Sequence, residues 1–522
     1  MTKPAPENYT KPSLTEAAAR SNRASRALLS IICFLAGAAI MVIEISANRL
    51  LAPHFGNSVY TWTALIGVLL VAISVGGYLG GILSDKLGRM DLIGWLLAGA
   101  SVLTMLIPSI SLVLGPALAD AGLISGPLWA SLFLLALPGV LLGAVSPASV
   151  RFYSLLNQDQ HVGIAAGTIS MLGSLGSFVG TFVTGFFLLS TFGVKAIFLG
   201  SGAVLMLLAL LAFWMAGKSL KVHVSTAAVI LIAGLITYQA EASIDELTIH
   251  QENSFYHQIE VQERISGDSK DRFLKLDSTM EGGMRMNDGG LLLEYQNFWR
   301  LVLLNEDIKL QRALFVGAGA FGMPEEVSRV VAGSEVDVVE IDPAVIGVGH
   351  RFFKLDEHPH VHAYASDARR FLNKSDGGYD FIFGDAYNGV QHIPSHLVTR
   401  EFFTVIKSKL SPKGVFLMNV ITAVEGEKAD LLGHLLATVR AVFPHVEVFA
   451  VNGYQSSPQN VILLATQEDW SPWLESRRYI SNSWQEKLVS RRLPEGKLPA
   501  ERSPFTDDFN PVDAVIARQL LK

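Results

Sequence analysis

Four polar motifs in the C-terminal half have the residue types needed to bind a nucleoside. Each follows an apolar segment that could be a β-strand, and in chain order they are Gly317-Ala318-Gly319, Glu340, Asp367-Ala368 and Asp385. Glycines after a strand let the backbone approach a ligand closely, and a carboxylate after the next strand can accept hydrogen bonds from ribose hydroxyl groups. We therefore predict a site for an adenosine-containing ligand.

The elements that would position these motifs alternate between strand-like and helix-like segments. The predicted strands are Ala313–Val316, Val336–Ile341, Val361–Ala363, Phe381–Phe383, Gly414–Asn419, Val446–Val451 and Val461–Ala465. Such alternation is typical of an α/β Rossmann-like domain of the methyltransferase type, with a mostly parallel sheet, which we assign to residues 306–522. The period-two segments His257–Arg264 and Arg272–Asp277 predict a small antiparallel β-unit at residues 244–305.

The N-terminal half has the composition of a membrane protein. Only 17% of the 522 residues are charged and 50% are hydrophobic, and the mean hydropathy is +0.37. The apolar surplus lies in residues 27–240, and residues 1–26 read as a disordered polar tail. Six segments have about the length of a bilayer core: Leu28–Ala47, Thr61–Leu83, Leu92–Leu114, Leu128–Val145, Ile164–Leu189 and Ala196–Ala216. A seventh, Val222–Tyr238, is marginal, so we predict six or seven helices.

The positions of basic residues predict the orientation of these helices in a cell (inner) membrane. Five basic residues precede the first segment, and later ones cluster in alternate connections, at Lys86, Arg89, Arg151, Lys218 and Lys221. Because basic residues mark cytoplasmic loops, we expect a cytoplasmic N-terminus. Six crossings would then keep the C-terminal half in the cytoplasm, and seven would place it outside. We expect the cytoplasmic face, because adenosine substrates are made there.

Charge and cysteine content exclude several other functions. A net charge of −6 argues against nucleic acid as a partner. The single cysteine, Cys33, cannot form a disulfide or a thiolate metal site within one chain, and we expect no bound metal. Glu44 is the one acidic residue deep in an apolar segment, and it is a candidate for either a structural ion pair or a site that contacts a cation.

Beyond these patterns, residues 250–465 resemble the spermidine synthase (polyamine aminopropyltransferase) family, and the whole chain is similar to its membrane-fused bacterial branch. Several ordered motifs carry the resemblance: Ser254-Phe255-Tyr256-His257, Leu274-Lys275-Leu276-Asp277, Glu294-Tyr295-Gln296-Asn297, Val339–Asp342, Asp367-Ala368 and Tyr379–Asp385. The resemblance implies transfer of an aminopropyl group from decarboxylated S-adenosylmethionine to an amine such as putrescine, with methylthioadenosine as product. It implies no permanently bound cofactor, and we expect a possible homodimer.

The resemblance also assigns roles to individual residues. Asp385 would be the catalytic base, with Tyr295 or Tyr387 as hydroxyl partner. The residues implied to contact the nucleoside are His257, Gly317, Gly319, Glu340, Asp367, Ala368 and Pro394. Those that stand at the family's substrate-binding positions or near them are Tyr295, Gln296, Ala320, Tyr387, Asn388 and Asp507.

Three of these positions depart from the family pattern. Ala320 replaces an aspartate that holds the aminopropyl ammonium group, Asn388 replaces an aspartate that holds the acceptor amine, and Gln296 replaces a histidine. Losing a carboxylate partner costs about 1.5–3 kcal/mol per charged hydrogen bond. Other acidic residues could compensate, and the candidates are Glu281, Asp288 and the Thr506-Asp507-Asp508 turn.

Two alternatives to this activity stay open at the level of sequence. If the donor is intact S-adenosylmethionine, the protein is a methyltransferase-like enzyme. If the C-terminal half only binds its ligand, the protein is a polyamine transporter or sensor, in which Glu44 rather than Asp385 is the critical residue.

Overall fold

The structure is a computed structural model that describes residues 14–87, 89–119, 121–122, 124–156, 162–240, 247–277, 279–387, 393–475 and 483–520. The chain forms two compact units, one containing the long apolar helices and the other containing the residues from Thr248 onward together with two short connections between those helices.

Seven helices of the first unit are long and apolar enough to cross a membrane, within the described part of the chain. They are α1 (Leu14–Phe55), α2 (Val59–Leu87), α3 (Asp91–Ala119), α4 (Ser125–Leu155), α5 (Val162–Thr191), α6 (Val194–Met215) and α7 (Leu220–Gln239). Helix α1 begins at Leu14, inside the stretch expected to be a disordered tail. Residues 1–13 of that stretch lie outside the described residues.

The seventh helix, α7, makes polar contacts with two other helices of this unit, α3 and α6. Lys218, just before α7, forms an ion pair with Asp91 at the start of α3 (2.5 Å). Near the other end of α7, the Thr237 hydroxyl donates to the carbonyl of Met105 in α3 (2.6 Å). The Lys195 ammonium group at the start of α6 donates to the carbonyl of Ala240 (2.8 Å). Helix α7 therefore runs parallel to α3 and antiparallel to α6 over its 20 residues, about 30 Å of helix.

The second unit begins with a four-stranded antiparallel sheet in the order β1-β2-β3-β4. Its strands are β1 (Thr248–Asn253), β2 (Gln258–Ser266), β3 (Ser269–Leu276) and β4 (Thr279–Arg285). A 3₁₀ segment, Glu294–Leu304, follows and carries the buried side chains of Tyr295, Phe298 and Trp299.

A seven-stranded sheet forms the centre of this unit, in the order β10-β11-β9-β8-β5-β6-β7. Its strands are β5 (Arg312–Val316), β6 (Glu335–Glu340), β7 (Val361–Ala365), β8 (Tyr379–Gly384), β9 (Leu410–Thr422), β10 (His445–Ala450) and β11 (Gln459–Thr466). The five strands from β9 to β7 pair in parallel, and β11 and β10 add antiparallel pairs at one edge. This confirms the predicted methyltransferase-type Rossmann-like fold with a small antiparallel sheet before it.

Helices cover both faces of the central sheet, which explains why its strands are almost continuously apolar. The helices are α8 (Gly322–Val330), α9 (Pro343–Phe352), α10 (Ala368–Lys374), α11 (Arg400–Lys409), α12 (Asp430–Arg440), α13 (Ser471–Glu475), α14 (Ser483–Val489) and α15 (Val512–Leu520). In β5, Ala313 and Phe315 join one buried cluster while Leu314 and Val316 join the other.

The strand order reverses between β5 and β8, because the chain adds β6 and β7 on one side of β5 and then returns to add β8 on the other side. Open α/β sheets bind ligands at such a switch point, beyond the carboxyl ends of the strands. Gly317 follows β5 there with a φ of +97°, and a Cβ atom at Gly317 would lie 2.3 Å from the carbonyl oxygen of Asp385. Residue 317 therefore has to be glycine for two independent reasons, its backbone conformation and this contact.

Replacing Gly317 by alanine is expected to lower the free energy of unfolding of the second unit by about 3 kcal/mol, from backbone strain and overpacking together. Chemical unfolding of the full chain in detergent, followed by tryptophan fluorescence, measures this change. Gly347→Ala is the matched control, because a Cβ atom at that helical glycine meets no atom within 4 Å. Equal stability of the two variants would contradict the argument.

Candidate active site

The glycine turn after β5 holds the strand ends of the switch point together. The Gly317 amide donates to the Val339 carbonyl (2.9 Å), and the Asp385 amide donates to the Val316 carbonyl (2.8 Å). The Ala318 amide donates to the Glu340 carboxylate (3.1 Å). Three of the residue groups predicted from sequence, the glycine turn, Glu340 and Asp385, therefore lie at one edge of the sheet.

Glu340 is buried and its carboxylate is fixed by backbone amides. Its second oxygen accepts a hydrogen bond from the Asp342 amide (2.9 Å). Burial raises the pKa of Glu340, while the hydrogen bonds from Asp342 and Ala318 oppose that shift. The side chain is held rigidly at the end of β6, as the predicted ribose contact requires.

Asp385, which follows β8, has a carboxylate that is hydrogen-bonded through both of its oxygens. Its two oxygens accept hydrogen bonds from the Tyr295 hydroxyl (2.8 Å) and from the side-chain amide of Asn419 (2.8 Å). Burial raises the pKa of Asp385 to about 6, and the hydrogen bonds from Asn419 and Tyr295 act in the opposite direction. The carboxylate is therefore ionised at neutral pH but is a much better proton acceptor than an exposed aspartate.

A cavity of about 270 Å³ opens beside Asp385. Its lining residues come from β4, from the start of the 3₁₀ segment, from the residues that follow β8 and β10, and from β9 and β11. They include Glu281, Tyr295, Tyr387, Asn419 and Asn460. None of the described residues that line it is a lysine or an arginine. The cavity therefore presents carboxylate, phenol and amide groups, and a cation is the ligand that these groups favour.

His257 lies close to this region, but its side chain already has a partner. Its Nδ1 contacts an Asp277 oxygen (3.0 Å), and the other Asp277 oxygen accepts from the Gln258 amide (3.0 Å). Ser254, from the same motif, donates its hydroxyl hydrogen bond to Asp342. This motif therefore ties the small sheet to the end of β6, and the nucleoside contact of His257 stays a prediction.

Two predicted substrate residues make internal hydrogen bonds. The Gln296 side chain is buried and accepts from the Leu293 amide (3.2 Å), so it caps the 3₁₀ segment. The Tyr387 hydroxyl accepts from the Ile421 amide (2.8 Å) and donates to the Asn419 carbonyl (3.3 Å) while its ring lines the cavity. Of the two tyrosines considered as partners of Asp385, the structure selects Tyr295.

Other predicted positions lie outside the cavity lining. Asp367 accepts from the Arg370 amide (2.8 Å) and contacts His396 Nε2 (2.7 Å), so its carboxylate caps α10. Asp507 forms two hydrogen bonds with Arg369 (2.8 and 2.5 Å). Arg369 already neutralises Asp507, which makes Asp507 a poor candidate for binding an amine.

The remaining predicted positions divide into three groups. Ala368 is buried at the start of α10, and Pro394 is half-buried before a short 3₁₀ turn, so their predicted adenine contacts stay predictions. Asp288 is exposed and pairs with Arg285 (3.4 Å), so it does not compensate for the lost aspartates. Asn388 lies outside the described residues.

Sequence reasoning missed one member of the site, Asn419. It lies on the apolar strand β9, donates to Asp385, and accepts from the side-chain amide of Asn460 (3.0 Å). A buried amide inside an apolar strand is a signal that could have identified it, because such a group needs a hydrogen-bond partner. Asn419 therefore holds one oxygen of the Asp385 carboxylate, and Tyr295 holds the other.

Comparison with known proteins identifies relatives of this chain. Residues 295–468 match the family model "Spermine/spermidine synthase domain". The chain is 32% identical over 250 residues to the polyamine aminopropyltransferase of Vibrio vulnificus (strain CMCP6), which covers 45% of this chain and 78% of that protein. It is 29% identical over 151 residues to the human eEF1A lysine and N-terminal methyltransferase, which covers 27% of this chain and 21% of that protein.

A solved structure of a probable spermidine synthase from Corynebacterium glutamicum aligns with 52% of this chain and 99% of its own, at a TM-score of 0.40 and 20% sequence identity. The site is a crevice at the switch point of an α/β sheet, with the half-buried carboxylate of Asp385 beside it. The chain belongs to the spermine/spermidine synthase family, and it is an aminopropyltransferase of the spermidine synthase type.

The pH dependence of turnover follows from the environment of Asp385. If the reaction needs the ionised carboxylate, kcat/KM falls as the pH decreases through about 6, the pKa to which burial raises this group. Tyr295→Phe removes a hydrogen bond that stabilises the ionised form, so the pKa rises further and the acidic limb moves to higher pH. Tyr454→Phe, at an exposed tyrosine, is the control and is expected to keep the wild-type profile. An unmoved limb in Tyr295→Phe would contradict this role.

Proposed function

We propose that this protein is a membrane-anchored polyamine aminopropyltransferase that uses decarboxylated S-adenosylmethionine as donor and a putrescine-like diamine as acceptor. The observation that carries the proposal is the ionisable Asp385 beside a cavity whose described lining contains carboxylates and no lysine or arginine. Both proposed substrates are cations, and they compensate buried negative charge that the protein itself leaves unpaired.

The proposed reaction is a direct displacement at carbon. The acceptor nitrogen forms a bond to the propyl carbon next to the sulfonium, the carbon–sulfur bond breaks, and its electron pair leaves with neutral methylthioadenosine. The attacking amine loses a proton, which Asp385 accepts. Tyr295 and Asn419 hold the Asp385 carboxylate in place. Much of the rate enhancement is then expected from holding the two substrates close together beside this oriented base.

The same lining disfavours the methyltransferase alternative. Intact S-adenosylmethionine carries a carboxylate on its amino-acid end, which requires a cation or hydrogen-bond donors nearby. The described cavity residues include three carboxyl groups, at Glu281, Glu294 and Asp385, which repel such a carboxylate, and no lysine or arginine to pair with it. The similarity to the human methyltransferase covers only 21% of that protein.

Asp385→Asn is expected to lower kcat by about 100-fold or more, because it removes the proposed general base. The assay is formation of methylthioadenosine by the full-length protein in detergent, from the decarboxylated donor and putrescine. Asp376→Asn, at an exposed acidic residue, is the matched control with unchanged activity. Absence of turnover by the wild-type protein with every diamine or polyamine acceptor would overturn the proposed function.

For the membrane topology, we propose that α7 crosses the bilayer and that the catalytic unit lies on the face opposite the N-terminus. The polar contacts with α3 and α6 near both ends of α7 support a seventh crossing. With basic residues keeping the N-terminus cytoplasmic, an odd number of crossings favours the outer face. This differs from the cytoplasmic position expected from substrate supply.

Labelling with a membrane-impermeant maleimide tests this topology, because Cys33, the only cysteine of the chain, is buried. In intact cells, Asp376→Cys in the catalytic unit is expected to be labelled, whereas Lys86→Cys near the end of α2 is expected to be protected. Both residues are exposed, so both variants are expected to react once the membrane is permeabilised. Protection of Asp376→Cys in intact cells would restore the cytoplasmic assignment.

A further inference from the structure

Glu281 occupies an irregular position in β4. The β3–β4 pairing joins Lys275 to Met280 and Leu274 to Gly282, so Glu281 is an extra residue without a partner across the strand pair. Such bulges redirect a side chain and occur frequently next to active sites. Here the bulge residue is one of those that line the cavity beside Asp385.

The Glu281 carboxyl group has no partner in the described part of the chain. Its Oε1 atom is buried without a hydrogen bond. Burial raises its pKa well above the usual range, and the carboxylates of Asp385, Glu340 and Asp277 raise it further. The two phenol groups that also face this region, those of Tyr295 and Tyr387, carry no positive charge. The negatively charged form of this carboxyl group is destabilised in these surroundings until a cation reaches it.

The backbone around Glu281 touches the glycine turn that follows β5. A Cβ atom at Gly319 would lie 3.0 Å from the Glu281 carbonyl oxygen, and one at Gly282 would lie 2.7 Å from the Ala320 nitrogen. Residues 281 and 320 therefore belong to adjoining segments. Position 320 itself has only a methyl group, so Glu281 is the residue of these two adjoining segments that brings a carboxyl group to the cavity lining.

We propose that Glu281 binds the ammonium group of the donor substrate and thereby selects a decarboxylated sulfonium nucleoside over its intact, carboxylate-bearing form. This inference rests on the proposed function, since it names a specificity residue for the same donor. An ammonium group supplies the missing partner of Glu281. The carboxylate of the intact donor is attached to the carbon that bears this ammonium group, so it would come close to Glu281 and be repelled.

The test compares three ligands by calorimetry with the full-length protein in detergent: decarboxylated S-adenosylmethionine, the intact form, and methylthioadenosine. Glu281→Gln keeps the size of the side chain and removes its charge. It is expected to weaken binding of the decarboxylated donor by about 10- to 100-fold, the usual effect of a hydrogen bond to a charged group. The preference over the intact donor is expected to shrink as well. Methylthioadenosine has no ammonium group, so its affinity is expected to stay unchanged.

Asp288→Asn is the matched control, because it removes an exposed carboxylate of the same small sheet region that pairs with Arg285 outside the cavity lining. It is expected to bind all three ligands as the wild type does. Equal affinity of the wild type and Glu281→Gln for the decarboxylated donor would overturn this inference and leave the proposed function standing. A parallel loss of methylthioadenosine affinity would show a structural role and also overturn it. A wild type that does not bind the decarboxylated donor would defeat the proposed function itself.

Discussion

The close approach of the glycine turn 317–320 to its neighbours is the constraint on which the site depends. Gly317 lies against the Asp385 carbonyl and Gly319 against the Glu281 carbonyl, while the Ala318 amide binds Glu340. These contacts bring together groups from β4, β6 and β8 that are far apart in sequence. Because two of the contacts leave no room for a side chain, the glycines fix the geometry of the carboxylates as well as the access of a ligand.

A second consequence of this packing is a cluster of three carboxyl groups whose charged forms are disfavoured by their surroundings. Asp385 is stabilised by two hydrogen bonds, and Glu340 by two backbone amides, whereas Glu281 has no partner in the described residues. Buried carboxylates without a cation cost free energy that a cationic ligand recovers on binding. This balance connects the fold to the proposed chemistry, in which both substrates carry positive charge.

The membrane unit follows a different physical rule. Its helices are recognised from sequence because about 20 apolar residues are needed to cross a bilayer. The segment Leu220–Gln239 is short, with 20 residues, and its contacts with α3 and α6 at both ends favour a crossing. Its length alone left the crossing open, whereas hydrogen bonds between helices are contacts that only the tertiary structure gives.

The sequence by itself determined the order of strands and helices, the family, and the motifs at the strand ends, because these depend on local periodicity and on short-range turn chemistry. Tertiary structure decided which side chains are free to act. Asp507 and Gln296 were candidates for substrate binding from the sequence. In the structure, Asp507 is hydrogen-bonded to Arg369 and Gln296 to the Leu293 amide. Asn419 and the bulge at Glu281 emerged only in three dimensions, because the pairing of distant strands sets hydrogen-bond partners, burial and register.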